Sequence, residues 1–318
     1  MSKLILAGGS GFLGGALAKH FRALGWEVVV LTRSPKARTD GIREAAWDAR
    51  TPGDWCRELE GADVVINLTG RSVDCRYTER NRRDIINSRV ESTRVIGEAI
   101  SRSQSPAKVW LNASSASLYR HTFETPMDEN GAEGAAPEVH DEFSLEVIRQ
   151  WEAALNSAQT PRTRRVALRT TMILGNARNS VFPVLSRLAR LGLGGRMGSG
   201  RQYVSWMHER DFCRAVEWIV VHEEIAGPVN LSAPEPLPNA EMMRLFREAC
   251  GAPFGLPAAE WMLEVGAFFM RTETELILKS RRVIPGKLLA SGFRFEFPGM
   301  KAALQNLRDV ASKAHSEA

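Results

Sequence analysis

Short aliphatic and β-branched runs alternate with longer amphipathic stretches through the first half of this chain. Residues 4–7, 27–31, 64–68, 109–113 and 166–168 are apolar runs of strand length, and residues 44–47 form a more polar one. Between them, residues 16–24 read as a helix stopped by Gly25 at its C′ position. Residues 80–101 carry Ile85, Ile86, Val90, Val95, Ile96 and Ile100 close to helical spacing, and residues 143–155 read as a further helix. Strand, helix, strand in repeated order predicts a parallel sheet with right-handed crossovers, the doubly wound α/β class.

After about residue 175 the pattern changes. A Gly-rich stretch at 191–200, a helix near 211–222 and a Pro-rich segment at 233–238 mark a boundary zone. Beyond it, helices at 240–250, 258–270 and 273–280 alternate with Gly and Pro turns, and a polar helix begins at Met300. The expected division is a main domain of Rossmann type over residues 1–174, to which 206–232 returns. Residues 175–205 and 233–318 would form a smaller mixed α/β domain over the carboxyl ends of the strands, where ligands of open α/β sheets bind. No internal repeat or low-complexity tract interrupts this order.

A length of 318 residues suits one main domain plus a smaller unit. The net charge of +5 is small beside 42 basic and 37 acidic residues, so composition does not call for nucleic acid. Cys56, Cys75, Cys213 and Cys250 lack zinc spacing and read as reduced thiols of a cytoplasmic protein without a metal. Lys3 followed by apolar residues and Ala16-Leu17-Ala18 imitates a signal peptide, but the stretch is Gly-rich and cleavage would remove the first strand. The apolar run 261–270 is broken by Glu264 and is too short to span a bilayer, so no membrane association is expected.

The chemistry begins at Gly8-Gly9-Ser10-Gly11-Phe12-Leu13-Gly14, directly after the first apolar run. A strand ending in a tight glycine turn and restarting as a helix aims unpaired N–H groups and a positive helix end at one spot, which suits a pyrophosphate. Gly8 permits the turn, Gly11 admits the phosphate, and Gly14 lets the helix lie close to the strand. The second strand ends Val29-Val30-Leu31-Thr32-Arg33-Ser34, without the acid that would hold the 2′-hydroxyl of NAD. Arg33 stands 19 residues after Gly14, and its planar fork suits the 2′-phosphate of NADP(H); the plainer reading is a solvated strand-end charge. Asp48 is read either as an acceptor for the adenine amino group or as a cap for the turn at Thr51-Pro52.

Beyond the glycine turn, Asn67-Leu68-Thr69-Gly70 and Ser114-Ser115-Ala116-Ser117-Leu118-Tyr119 resemble the extended short-chain dehydrogenase/reductases, the class of nucleotide-sugar epimerases and dehydratases. Residues 89–94, 192–202, 205–208, 233–236 and 285–293 are similar to an atypical epimerase-like subfamily with its own C-terminal domain. The resemblance implies that Asn67, Leu68, Thr69 and Gly70 pass beside the cofactor's ribose and nicotinamide, that Arg89 faces the cofactor side, and that Ser115 is the catalytic hydroxyl. Two departures stand out. That superfamily uses Tyr-x-x-x-Lys, in which the lysine lowers the phenol pKa, but the matching positions here are Ser144 and Ile148, and none of Tyr77, Tyr119 and Tyr203 has Lys four residues on. Sugar-nucleotide epimerases also place an Arg-Asp pair before a later His, where this chain has Val204 and Ser205.

Among the remaining candidates, His208 reads as a structural hydrogen-bonder rather than an acid or base. The arginines at 76, 80, 82, 83 and 94 read as a solvated face, and Trp206, Trp261, Phe268, Phe269 and Met270 read mostly as packing. Lys287 reads either as an anion contact or as an ordinary first-turn residue. The expectation is an NADP(H)-binding oxidoreductase or epimerase-like protein acting on a small molecule. Two rivals are a non-catalytic NADP(H)-loaded sensor and a nucleotide-sugar epimerase. The superfamily's habit of pairing through the helices at 80–101 and 143–155 makes a homodimer part of the resemblance.

Overall fold

A computed structural model of the chain describes residues 1–136, 141–178, 180–263 and 278–316. Seven strands form one parallel sheet: β1 (Lys3–Ala7), β2 (Glu27–Thr32), β3 (Arg43–Ala46), β4 (Val64–Asn67), β5 (Val109–Ser115), β6 (Arg164–Thr170) and β10 (Gly227–Leu231). Their spatial order is β10-β6-β5-β4-β1-β2-β3, with every neighbouring pair parallel. This is the Rossmann-type doubly wound arrangement, and its order reverses at β1, between β2 and β4.

Both faces of the sheet are covered, which explains why its strands are nearly continuous apolar runs. In β1, Leu4 and Leu6 point to the side of α1 (Phe12–Ala23) and α5 (Glu209–Val221), where Leu17, Phe21, Phe212 and Val216 are buried. Ile5 and Ala7 point the other way, toward α2 (Glu79–Arg102), and join Val95, Ile96, Ile100 and Trp110. The strand period of two thus divides one run of residues between two cores. Helix α3 (Glu142–Asn156) lies beside α2 and brings Trp151 inward.

The C-terminal elements build a separate core. Helices α4 (Val181–Arg190), α6 (Asn239–Cys250) and α8 (Met300–Ser316) pack Phe182, Leu185, Met243, Phe246, Leu304 and Leu307 together. A short helix, α7 (Gly286–Ala290), packs on β10. Two small pairings tie these parts to the sheet: β7 (Met172–Leu174) runs parallel to β9 (Trp206–His208), and β8 (Tyr203–Val204) runs antiparallel to β11 (Leu237–Pro238).

Several differences from the sequence expectations have physical reasons. Strand β10 was hidden by Pro228, which an edge strand tolerates because one row of its backbone groups goes unpaired. Helix α4 was hidden by Pro183, which sits in its first turn, where no intrahelical N–H bond is lost. Helix α1 begins at Phe12 rather than at 16, because Gly14 and Gly15 mask its start. The helix beginning at Met300 is amphipathic, with Met300, Ala303, Leu304 and Leu307 buried. Most of the helices expected at 258–270 and 273–280 lies outside the described residues.

A buried polar network closes the carboxyl end of the sheet. Arg169 on β6 is 4% exposed and grips Glu152 of α3 with two hydrogen bonds of 2.9 Å, and it pairs with Glu133 at 2.9 Å. It also donates to the Tyr119 hydroxyl at 3.0 Å, which donates to Asn230 on β10 at 2.8 Å. Glu129 accepts from the Asn230 and Lys287 N–H groups at 2.9 and 3.1 Å, linking the sheet to α7. Removing one partner of a buried ion pair leaves the other charge uncompensated, at a cost of about 3–5 kcal/mol. Arg169→Met is therefore expected to destabilise the fold by roughly that amount in urea unfolding; a loss within about 0.5 kcal/mol would show the network to be dispensable.

Candidate functional site

The turn between β1 and α1 is a steric necessity at two glycines. Gly8 has φ +76°, and a Cβ there would lie 2.9 Å from the backbone of Leu68 and Thr69 at the end of β4. A Cβ on Gly14 would lie 2.4 Å from Gly9 Cα. Gly11 differs: its Cβ would meet only Gly8 O, at 3.9 Å, so the space beside it opens into a cleft. Gly11 caps α1 without any side-chain hydrogen bond, and the first turn holds no acidic residue. The positive helix end and its N–H groups therefore face the cleft without a side-chain counter-charge, as an anionic pyrophosphate requires.

On one side of this turn lies a cleft of about 1170 Å³. Gly8, Ser10 and Gly11 form its floor, and Arg33, Asp48, Leu68, Thr69 and Gly70 line it. Lys36, Arg50 and Trp47 line it as well, a contribution the sequence analysis missed. Arg33 and Lys36 make no side-chain hydrogen bond or ion pair with any described residue, whereas Arg50 pairs with Glu91 at 3.0 Å. No acid stands at the end of β2, and two cations on one rim suit a ligand bearing a phosphate there. The spacing of Lys36, three residues after Arg33, was the available signal.

Asp48 faces this cleft but is also committed to its own loop. Its carboxylate accepts from the N–H groups of Arg50 and Thr51 at 2.9 Å and from the Thr51 hydroxyl at 2.6 Å. The Thr51 hydroxyl, with those N–H groups, holds its pKa down at about 2. The turn holds Ala49 at φ +65°, the one positive φ outside glycine among the described residues. Cap and cleft wall are thus combined in one residue.

On the other side of the turn, a pocket of about 500 Å³ shares Gly8, Gly11 and Leu68 with the cleft and adds Phe12, Leu13 and Gly14. Ser115, Ser144, Ile148, Trp151, Tyr77 and Arg89 converge on it. Ser115 ends β5, and its hydroxyl accepts the Ser117 N–H at 3.2 Å, capping the 3-10 turn Ala116–Leu118. Its own proton goes to no described residue, whereas Ser114 donates to Glu152 at 2.5 Å. A buried cluster sets these elements: Asn67 donates to Asn112 at 2.8 Å, Thr93 donates to Asn112 at 3.2 Å, and Trp151 donates to Thr93 at 3.1 Å. The Asn67 side chain also accepts the Thr69 N–H at 3.0 Å, which shapes the 67–70 loop along the cleft.

Arg89 is the one fixed charge on this pocket among the described residues. Its Nη1 donates to the carbonyls of Arg71 and Ile85, both at 3.0 Å, and its guanidinium carbon lies 5.0 Å from the centre of the Trp151 ring. The face of the guanidinium lies so close to Gly70 that a Cβ there would come within 3.1 Å of it. Burial without a carboxylate pushes its pKa down to about 10, so it remains a cation at neutral pH.

Other candidates fall away from the cleft. The His208 ring accepts the Arg210 N–H at 3.0 Å, capping α5, and stacks on Phe297 at 4.0 Å between ring centres. Lys287 donates to Ala226 O at 2.6 Å, so it serves the chain rather than an anion. Trp206 is buried and donates to Glu235 O, and Trp261 is exposed. Phe268, Phe269 and Met270 lie outside the described residues. Of the helical arginines, Arg80 lines the cleft and Arg94 pairs with Glu98 at 3.7 Å. Among the described residues no helix is long and apolar enough to cross a membrane, and no group of three His, Cys, Asp or Glu side chains forms a metal site.

Comparison with known proteins gives a consistent picture. Residues 4–231 match the NAD dependent epimerase/dehydratase family, and residues 258–307 match a domain of unknown function, DUF1731. Epimerase family protein SDR39U1 of Bos taurus is 29% identical over 311 residues, covering 96% of this chain and 99% of that protein. Epimerase family protein ML0860 of Mycobacterium leprae is 31% identical over 305 residues, covering 94% of this chain and 93% of that protein. The crystal structure of human epimerase family protein SDR39U1 (isoform 2) with NADPH superposes with a TM-score of 0.84 at 27% identity, covering 96% of this chain and 99% of that one.

The environment of His208 makes a pH prediction. Burial, reinforced by Arg210, pushes its pKa down to about 4 from an ordinary 6.5. As pH falls from 6.5 toward 4 the unfolded chain takes up this proton while the folded chain does not, so the group costs stability in that window, by about 3 kcal/mol at its lower end. His208→Asn keeps a good helix cap and is expected to flatten the acid-side fall of stability between those values. Parallel pH profiles for the two proteins would rule the assignment out.

Proposed function

This chain belongs to the NAD dependent epimerase/dehydratase family, and on that footing we propose that it binds NADP(H) and acts as an oxidoreductase or epimerase-like enzyme on a small carbonyl or alcohol substrate that is not a sugar nucleotide. The observation that carries the reading is the pairing of the helix end at Gly11, which has no acid in its first turn, with the cations Arg33 and Lys36, unpaired among the described residues, on the same cleft. The residues fit the cofactor. Ser10, Gly11, Phe12, Leu13 and Gly14 would hold the pyrophosphate, Arg33 the 2′-phosphate, and Asp48 the adenine edge, with Leu68, Thr69, Gly70 and Arg89 along the ribose and nicotinamide. The human relative crystallised with NADPH supports this choice.

When bound, NADPH supplies a hydride. Ser115 would donate a hydrogen bond to the substrate carbonyl, polarising it next to the nicotinamide position. Residues 1–174 and 206–232 would hold the cofactor, while 175–205 and 233–318 would cover the substrate. A sugar nucleotide fits poorly because Ser205 stands where such enzymes keep a phosphate-binding pair. Its hydroxyl donates to Arg281 O at 2.7 Å and accepts the Val283 N–H at 2.8 Å, so it is spent on holding the C-terminal segment. The four free cysteines support a reducing, cytoplasmic setting. Ser144 and Ile148, in place of a tyrosine and a lysine, favour a second reading, in which the chain holds NADP(H) as a sensor without turnover.

Arg33→Asp separates cofactor recognition from a solvated charge. The substitution is expected to weaken NADPH binding at least about tenfold, about 1.4 kcal/mol, and to leave NADH binding nearly unchanged, as read by titration calorimetry. Equal NADPH affinity in the two proteins would remove Arg33 from the site.

A further inference from the structure

We propose that the Arg89 guanidinium is the receptor for a carboxylate, so that the small molecule taken up beside Ser115 is an organic acid with an apolar body. The inference rests on reading that pocket as the nicotinamide end of the cofactor site, and it names the substrate class for that reading. Arg89 lies in the interior of α2, away from the helix C-terminus, where unpaired carbonyls would draw a cation.

A guanidinium drawn out of water normally meets a carboxylate or the carbonyls of a helix end. Other inward-facing arginines of this chain follow that rule. Arg169 is held by Glu152 and Glu133. Arg165 is held by the carbonyls of Leu155, Asn156 and Ala158 at the end of α3, and Arg164 by those of Ile219, Val220 and Ile225 at the end of α5. Arg89 has neither kind of partner. Its Nη1 alone is engaged, by the carbonyls of Arg71 and Ile85, and its Nε and Nη2 donate to no described residue. No carboxylate among the described residues pairs with it. Its orientation is nevertheless fixed, by the Trp151 ring centre 5.0 Å away and by Gly70, where a Cβ would come within 3.1 Å of the guanidinium carbon. A desolvated cation that is held rigidly and lacks an anion is a preorganised anion site.

The cofactor does not supply that anion. On the present reading its pyrophosphate lies at the helix end and its 2′-phosphate at Arg33, and its nicotinamide end carries no negative group. The N–H groups of Nε and Nη2 lie along one edge of the guanidinium, and a planar carboxylate accepts two parallel hydrogen bonds from such an edge. A phosphate dianion would leave one charge unmatched, because Arg89 is the one fixed charge on this pocket among the described residues. The walls decide the rest of the molecule. Leu13, Val73, Phe143, Val147 and Ile148 line the pocket of about 500 Å³, so the body of the ligand is apolar and small. The carboxylate would rest on Arg89, the body against these side chains, and the carbonyl or alcohol at the Ser115 hydroxyl.

The test is calorimetric titration with two pairs of equal shape and different charge, benzoate against benzamide and phenylacetate against phenylacetamide. Wild type, Arg89→Met and Arg89→Lys are compared with and without saturating NADPH, each checked for folding by circular dichroism. Wild type is expected to bind at least one carboxylate about tenfold or more tighter than its amide. Arg89→Met should lose that preference, and Arg89→Lys, a point charge in place of a fork, should keep a reduced one. No preference in either pair, or a preference unchanged in Arg89→Met, overturns the proposal. NADPH affinity is expected to stay within about threefold across the variants, and a fall of about tenfold or more in Arg89→Met gives the charge to the cofactor and also overturns it. If Arg89→Met fails to fold, the wild-type preference and its reduction in Arg89→Lys decide. NADPH binding by wild type without a carboxylate preference overturns this inference alone. A carboxylate preference in a protein that binds no NADPH overturns the cofactor reading and leaves the Arg89 site standing.

Discussion

Everything about this site depends on how closely three backbone segments cross at the carboxyl end of β1. Gly8 touches the main chain of Leu68 and Thr69, and Gly14 touches that of Gly9, at distances where a single methyl group has no room. That crossing places the start of α1, the end of β4 and the loop 67–70 around one point. The N–H groups of α1 then point into the space beside Gly11. A positive helix end with no acid in its first turn is a local electrostatic deficit that an anion removes. The steric constraint makes the electrostatic one possible, and together they select a pyrophosphate-bearing ligand.

The rest of the structure holds the walls around that point. Arg169, Glu152 and Ser114 bind β6, α3 and β5 to one another, and Tyr119, Asn230 and Glu129 extend the same network to β10 and α7. Ser205 and Ser232 hydrogen-bond to residues 281–283, so the C-terminal segment is pinned against the end of the sheet. Lys279 is buried in an ion pair with Asp141, at the start of α3, and donates to Ser117 O at 2.6 Å, beside the turn that Ser115 caps. The pocket of Ser115 is therefore braced by residues from the middle of the chain and from its C-terminal segment.

The parts of the fold legible in the sequence were those with a strong period or a special residue. The five apolar runs became β1, β2, β4, β5 and β6, because strands buried on both faces need no polar alternation. The glycine turn was legible because its requirement is steric, and the missing acid at the end of β2 because an absent acid is as visible as a present one. Proline concealed β10 and α4, where edge position and first-turn position made Pro228 and Pro183 harmless. The two-residue strands β8 and β11 carry no period at all. Within the site, what escaped was what depends on tertiary assembly: Lys36 and Arg50 on the rim, which no motif announces. His208 was placed correctly as a structural group, since a histidine just before a helix can cap it.

The central claim is that a positive turn and a cationic rim together choose NADP(H). Direct titration of the purified chain with NADPH and with NADH, followed by calorimetry at one fixed salt concentration, addresses it with the fewest assumptions. The account predicts saturable one-to-one binding of NADPH at least about tenfold tighter than NADH, the rim supplying about 1.4 kcal/mol or more. Equal affinity for the two, or no saturable binding of either, would contradict it.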